Sequence, residues 1–422
     1  MEQKLPLADV LDSSPVGPTH LKVLILCMLV AIFDGFDVQS ISFAAPLIGK
    51  EWGAPREAFG YIFSAGIVGM LVGLIIQGPC SDRLGRKPMI LFALLTFGTL
   101  SLFTSAATSL THLMILRFLT GIGMGAAVPN ILALTREYAP AKARSLMIVC
   151  MNAGLPAGGL LGGIASSYLL QEHGWRSIFI VGGIGPLALA VAVVCLLPES
   201  IPFLAQRAAR RPGVGGNKDL GRAMGLLNRL RNDNAALRVD AIDWSPPSHA
   251  KAGIAGVVAE GRGVGTILIW LVFTLNMVTY YFLVSWLPSI LTGAGIAPHL
   301  AALSSAMTNL GAIIGGLLLG WVSDRSGLVR TLAINYVLSG IFFVLLSLSL
   351  GGKLIIISLV CVVLGFTTGG AQLILNVLAA NFYPTAVRST GIGMAGIAGR
   401  IGAIAGPAVG SVLVAAGASA SV

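Results

Sequence analysis

Charge is scarce in this chain of 422 residues. Asp, Glu, Lys and Arg together make up 10% of it, where a soluble domain carries roughly a quarter. Acid is the scarcer sign, with 17 Asp and Glu against 27 Lys and Arg, and after residue 260 there is a single acid, Asp324. With 55% apolar residues and a mean hydropathy of +0.88, this excludes a disordered chain and a typical soluble enzyme. The five cysteines (Cys27, Cys80, Cys150, Cys195 and Cys361) lie in or beside apolar runs at no metal-ligand spacing, which argues against a disulfide framework or a metal site. No G-x-x-x-x-G-K-[ST] loop is present, so the chain cannot hydrolyse ATP by itself. No nucleophile–base set appears either, and neither an enzyme nor a bound cofactor is expected. A cleavable signal peptide is not expected, because the first twenty residues are polar and no small-residue site follows the first apolar run.

What is there is a series of apolar runs long enough to cross a bilayer, about 20 residues each. They read as eleven helical spans at 21–43, 57–79, 88–107, 110–134, 145–170, 176–197, 264–290, 297–322, 330–350, 353–379 and 389–415. The chain divides into a tail (1–20), a six-helix bundle (21–197), a polar linker (198–262) with a surface helix around 218–231, and a second bundle (263–422). The linker holds ten Lys and Arg against six Asp and Glu. The net charge of +10 needs no nucleic-acid partner, since cytoplasmic loops of membrane proteins are rich in Lys and Arg. The same rule places the N-terminus, the linker and the basic loops in the cytoplasm.

Two matches reveal an internal repeat. Gly78-Pro79-Cys80-Ser81-Asp82-Arg83-Leu84-Gly85 follows the second span and Gly320-Trp321-Val322-Ser323-Asp324-Arg325-Ser326-Gly327 the eighth. Tyr138-Ala139-Pro140-Ala141-Lys142-Ala143-Arg144 follows the fourth, and Phe382-Tyr383-Pro384-Thr385-Ala386-Val387-Arg388 the tenth. Both pairs lie at nearly one offset and at one topological place, which indicates a duplicated six-helix unit. The same offset puts a twelfth span at about 420–441, so the reading expects eleven spans with the twelfth missing. Whether that is a truncation or a working eleven-span protein stays open.

These residues resemble the major facilitator superfamily. Asp82-Arg83-Leu84-Gly85-Arg86-Lys87, beginning from Gly78, is similar to that superfamily's loop between helices two and three. Arg117-Phe118-Leu119-Thr120-Gly121-Ile122-Gly123-Met124-Gly125 resembles its fourth-helix motif, and Pro198-Glu199-Ser200 closes the sixth helix as in many members. A narrower likeness lies in Phe33-Asp34-Gly35-Phe36-Asp37, in the stretch from Tyr280 to Pro288 and in the stretch from Gly399 to Pro407. These resemble the aromatic acid:proton symporter family. The resemblance implies an all-α membrane protein with two pseudo-symmetric halves and alternating access. It further implies proton-coupled uptake of a small aromatic carboxylate across a bacterial inner membrane, by a monomer. Another organic acid, an exported drug or a non-transporting relative are the alternatives.

The scarcity of charge singles out candidate residues without any family. Only Asp34 and Asp37, of all the acids, lie inside a span. A mid-membrane carboxylate costs about 3 kcal/mol even on the lenient insertion scale, and such acids are functional by default. Three residues apart they share a helix face and repel, which favours a proton on one. The sequence does not decide which; Asp34 is nearer mid-span. Arg400, mid-span between Gly399 and Gly402, offers a planar fork for a carboxylate, with a counter-ion role for Asp34 or Asp37 as its alternative. Arg117 is also placed among the substrate-binding candidates; the resemblance puts it in a motif linked to proton coupling, with a structural partner role for a first-helix Asp as its alternative. Phe33, Phe36, Asn276, Tyr280, Tyr281, Trp286, Gln372 and Asn376 could shape a ring pocket. Asp82, Arg83, Gly85, Arg86 and Lys87, with Glu137 and Arg144, are expected to form a cytoplasmic gate, of which Asp324 and Arg325 are a weaker copy.

Overall fold

The computed structural model describes residues 5–210, 213–231, 242–244, 255–259, 261–384 and 387–416. The chain opens with a short strand β1 (Leu5–Pro6) and α1 (Leu7–Asp12). The first half then runs α2 (Pro18–Trp52), α3 (Ala58–Leu84), α4 (Arg86–Ser105), α5 (Leu110–Met124), α6 (Ala127–Tyr138), α7 (Arg144–Asn152), α8 (Gly154–Glu172) and α9 (Arg176–Leu196). The polar segment contributes α10 (Ile201–Arg210), α11 (Val214–Arg231), strand β2 (Ile242–Asp243) and α12 (Ala255–Val258). The second half is α13 (Gly263–Gly293), α14 (Pro298–Ser326), α15 (Leu328–Ser349), α16 (Leu354–Phe382) and α17 (Arg388–Ala415).

Two expected spans are each made of two helical pieces, α5 with α6 and α7 with α8. Both breaks have the same cause. A proline lacks its N–H and its ring clashes with the carbonyl four residues earlier. Pro129 points back to Gly125 and Pro156 to Asn152, where the breaks fall. Counting each broken pair as one, ten helices among the described residues are long and apolar enough to cross a membrane. The expected first span, now the centre of α2, is not among the ten; it carries Asp34 and Asp37. The position expected for a twelfth span begins outside the described residues.

The repeat is visible in the backbone. α3 ends at Leu84 and α4 begins at Arg86 across Gly85; α14 ends at Ser326 and α15 begins at Leu328 across Gly327. Both glycines have positive φ, 108° and 86°. Within the halves, α2 packs on α8 and α4 on α9, and α13 packs on α17 and α14 on α16. The α2–α8 crossing is close because glycine faces backbone on both sides. A Cβ at Gly35 would sit 1.9 Å from the Leu155 carbonyl oxygen, and one at Gly158 would sit 1.9 Å from that of Ile32. Small residues allow such approach in a bilayer, where no hydrophobic force draws helices together.

The amino-terminal segment, expected as a tail, is folded against the linker. β1 pairs in parallel with β2, Leu5 opposite Ile242. Leu7, Val10 and Leu11 are buried with Leu227, Leu230 and Ile242 in a core continuous with α2. The spacing of Leu7, Val10 and Leu11, three and four residues apart, is the sequence signal for this helix face. The expected surface helix is α11, held to α10 by the Arg207–Asp219 ion pair.

Candidate functional site

The two halves touch from mid-height to the end remote from the linker. Gln39 on α2 and Asn309 on α14 exchange two amide hydrogen bonds: Gln39 Nε2 donates to Asn309 Oδ1 at 2.8 Å, and Asn309 Nδ2 to Gln39 Oε1 at 2.9 Å. Ser64 donates to the Ile404 carbonyl at 3.0 Å and Ser411 to that of Glu57. The Trp286 ring meets Phe63 edge-on at 5.8 Å. The halves are thus closed against each other on the remote side.

Asp34 and Asp37 sit beneath that closure, 0% and 1% exposed. Their surroundings differ sharply. The guanidinium of Arg117 grips the Asp37 carboxylate with both branches, Nη1 to Oδ2 at 3.1 Å and Nη2 to Oδ1 at 3.3 Å. The pair is fully desolvated, and the Phe179 ring lies 5.3 Å from the guanidinium carbon. A cavity of about 40 Å³ beside it, lined by Asp37, Met70, Arg117 and Gly121 among others, has room for a water. Asp34 has none of this: neither carboxyl oxygen has a hydrogen-bond partner. Its charged neighbours are Asp37, of like sign, and Arg400 on α17. Arg400 also acts electrostatically on Tyr281 and makes no hydrogen bond or ion pair with described residues. Among the described residues the Asp34 carboxyl and the Arg400 guanidinium thus lie within electrostatic reach of each other without a bond.

The remaining expected ring-pocket residues divide. Asn276 Nδ2 donates to Gln372 Oε1 at 3.0 Å, joining α13 to α16. Tyr280 and Tyr281 stack edge-on at 5.5 Å, and Tyr280 lies over Gly369, one turn from Gln372. Asn376, one turn from Gln372 on the other side, is exposed on the same helix face. Phe36 is not brought to this cluster; its ring fills the space left by Gly162 and Gly182 between α8 and α9. Phe33 packs likewise on Gly185. Trp286 is buried and donates its indole N–H to the Pro407 carbonyl at 3.0 Å. Arg117, expected among substrate-binding residues, has its fork engaged by Asp37. Tyr336 on α15 stands behind this cluster and was missed by sequence reasoning, its hydroxyl donating to Asn276 Oδ1 at 3.2 Å. Its signal was weak: a tyrosine within an apolar run reads as packing.

The gate residues also rearrange relative to expectation. Arg86 donates to the Ser81 carbonyl at 3.0 Å and to Asp82 at 3.1 Å, and its Nε lies 3.6 Å from Glu137. The centre of the network is Glu199, which the sequence reading left as a helix terminator. Its carboxylate accepts from the backbone N–H groups of Arg86 (3.0 Å), Lys87 (3.3 Å) and Ser200 (2.8 Å). It thereby caps the N-terminus of α4, where orphan N–H groups and the helix dipole favour an anion. Burial pushes its carboxyl pKa up, while the same N–H groups and Arg86 pull it down. Lys87 donates to the Val194 carbonyl at 2.8 Å. Arg144 is not part of this network; it pairs with Asp12 of α1. Arg83 is exposed and outside it. In the second half Asp324 is exposed, and Arg325 lies over the Trp321 ring at 3.7 Å.

Comparison with known proteins agrees with this architecture. Residues 27–414 match the Major Facilitator Superfamily. A gallate transporter of Pseudomonas putida is 37% identical over 419 residues, covering 99% of this chain and 90% of that one. The 4-hydroxybenzoate transporter PcaK of Acinetobacter baylyi is 35% identical over 412 residues, covering 96% and 87%. Among solved structures, a bacterial homologue of the human lysosomal transporter Spinster superposes with a TM-score of 0.73 at 15% identity, covering 95% of this chain and 84% of that one. Helical spans, a duplicated bundle and a match over nearly the whole length lead to one conclusion: this chain is an integral membrane transporter of the major facilitator superfamily.

Proposed function

We propose that the chain is a proton-coupled symporter that takes up aromatic carboxylates across a bacterial inner membrane. The observation that carries this reading is the fully buried carboxyl of Asp34, without a hydrogen-bond partner among the described residues and within electrostatic reach of the Arg400 guanidinium. The relatives, transporters of gallate and of 4-hydroxybenzoate, support the substrate class. In this reading α2 is the eleventh crossing. Residues 1–20, before bundle 21–197, and residues 198–262, between it and bundle 263–422, lie in the cytoplasm, so the contacts that join the halves lie on the outer side.

Asp34 carries the proton, because Asp37 is already neutralised by Arg117. In the empty protein the Arg400 cation steadies the Asp34 anion. When a substrate carboxylate takes the Arg400 fork, that support is lost and a second anion approaches. Both changes favour a proton on Asp34. One proton and one monoanion then enter together, and the closing site buries no additional net charge. Release toward the linker side reverses both steps. The Arg86–Glu137–Glu199 network is the cytoplasmic gate of the first half.

The test uses the purified chain in liposomes with labelled 4-hydroxybenzoate. An inward-directed proton gradient is expected to drive accumulation. Asp34→Asn is expected to lose accumulation at least tenfold while keeping substrate exchange across an otherwise equilibrated membrane. Accumulation that ignores a collapsed gradient, or that survives Asp34→Asn, would sink the coupling.

A further inference from the structure

Gln372, Asn276 and Tyr336 form a chain of hydrogen bonds with a fixed direction. An amide has a donor edge and an acceptor edge, and alone it can turn to present either. Here the turn is decided from the far end. A phenol hydroxyl in a membrane interior donates to whatever acceptor it meets, and the Tyr336 hydroxyl donates to Asn276 Oδ1 at 3.2 Å. That fixes the acceptor edge of Asn276 toward α15 and aims its Nδ2 at α16. Asn276 is 2% exposed, so it finds no water to compensate a flip. Its Nδ2 donates to Gln372 Oε1 at 3.0 Å, which occupies the acceptor edge of Gln372. The Gln372 Nε2 is left with no partner among the described residues. The ring of Tyr280 lies over Gly369, one helical turn away.

We infer that Tyr336 is a positioning residue for substrate selection: acting through Asn276, it holds Gln372 as a hydrogen-bond donor toward the substrate ring. The site then prefers ring substituents whose oxygen accepts, hydroxyl and methoxy among them, over substituents that only donate. The inference rests on the aromatic-carboxylate reading above and adds the polarity with which the ring is read. Tyr336 itself need not touch the substrate. Its hydroxyl sets which edge of the next amide is free, and that amide sets the one after it. Buried polar groups left mismatched carry the largest discrimination available to a binding site.

The experiment is competition against labelled benzoate, which has no ring substituent. The competitors are 3- and 4-methoxybenzoate, which only accept at the ring, and 3- and 4-aminobenzoate, which chiefly donate. In the wild-type chain, methoxy is expected to compete better than amino at the position that reaches Gln372. Tyr336→Phe removes one oxygen and releases both amides, so the methoxy-to-amino preference should fall about fivefold or more with benzoate uptake within twofold of wild type. Gln372→Glu presents acceptors only and should invert the preference. A purely structural role for Tyr336 would lower uptake of every acid alike and leave the ratio where it was. An unchanged ratio in Tyr336→Phe, or a Gln372→Glu chain that still prefers methoxy, overturns the inference and leaves the parent reading standing. A wild-type chain that takes up no aromatic acid overturns both, and that result is visible before any variant is made.

Discussion

The two halves share one helical plan and differ in what they hold at their centres. The first half buries ions: Asp34, Asp37 and Arg117 are each under 5% exposed. The second half holds neutral hydrogen-bonding groups, Asn276, Gln372 and Tyr336, with Arg400 alongside. The connecting loops differ in the same sense. Around Gly85 a network of Arg86, Asp82, Glu137 and Glu199 ties α4 to its neighbours. Around Gly327 the copy has an exposed acid and an arginine lying on Trp321. Duplication kept the Gly85 turn as Gly327 and Asp82-Arg83 as Asp324-Arg325, but Leu328 and Val329 stand where the first half has Arg86 and Lys87. Proton chemistry needs ions whose charge can change; recognition of a ring needs fixed donors and acceptors. In the reading proposed above, separating them onto two halves lets each be adjusted alone.

The largest expected effect falls on the ion pair of the first half. Asp37→Asn leaves Arg117 buried without its counter-ion, and breaking a buried pair in this way costs about 3–5 kcal/mol. A thermal-stability assay in detergent should show the loss. Asp37→Asn combined with Arg117→Gln should recover part of it, whereas the double variant should not restore transport. A smaller effect separates the two loops. Gly85 combines a φ of 108° with crowding, since a Cβ there would lie 2.4 Å from the Glu199 carboxylate. Gly327 has φ 86° and open space. Strained backbone of this kind costs a side chain about 1–3 kcal/mol. Gly327→Ala should cost only that, and Gly85→Ala more, with reduced uptake. Equal losses in the two would remove the distinction between the loops. Next comes Asn309→Ala, which strands the Gln39 amide at a cost of about 1–3 kcal/mol to the state shut on the remote side. Cysteines placed near Glu57 should then label faster from the outside. The smallest effect is expected at Asp324→Asn, within about 0.5 kcal/mol and without a change in uptake, as for an exposed group with no partner.

The helices, the repeat and the key ions were legible because charge is scarce. In a chain this apolar, Asp34, Asp37, Arg117 and Arg400 stand out by composition alone, and the glycine pair at 85 and 327 marks the repeat. What was not legible depends on how helices rotate against one another. Nothing in the sequence says that Arg117 meets Asp37 and not a substrate, or that Phe36 points between α8 and α9. Glu199 and Tyr336 were missed for a related reason. Each acts through a backbone or amide group brought in from a distant helix, and neither sits in a run where its type is rare. α1 was missed because six residues are too few for a hydropathy signal at the span scale, although its apolar spacing was in view.

The Gln39–Asn309 clasp has a consequence for energy balance across the transport cycle. Both partners are uncharged at every pH, so closing the remote side takes up or releases no proton of its own. The bonds are also replaceable. When the halves part there, water can satisfy the same four amide positions, and a hydrogen bond exchanged with water is worth only about 1 kcal/mol net. The two amide bonds therefore contribute roughly 2 kcal/mol, a bias of some thirtyfold, to a closure that Ser64, Ser411 and Trp286 also hold. A salt bridge in its place would have made the closed population depend on pH and ionic strength.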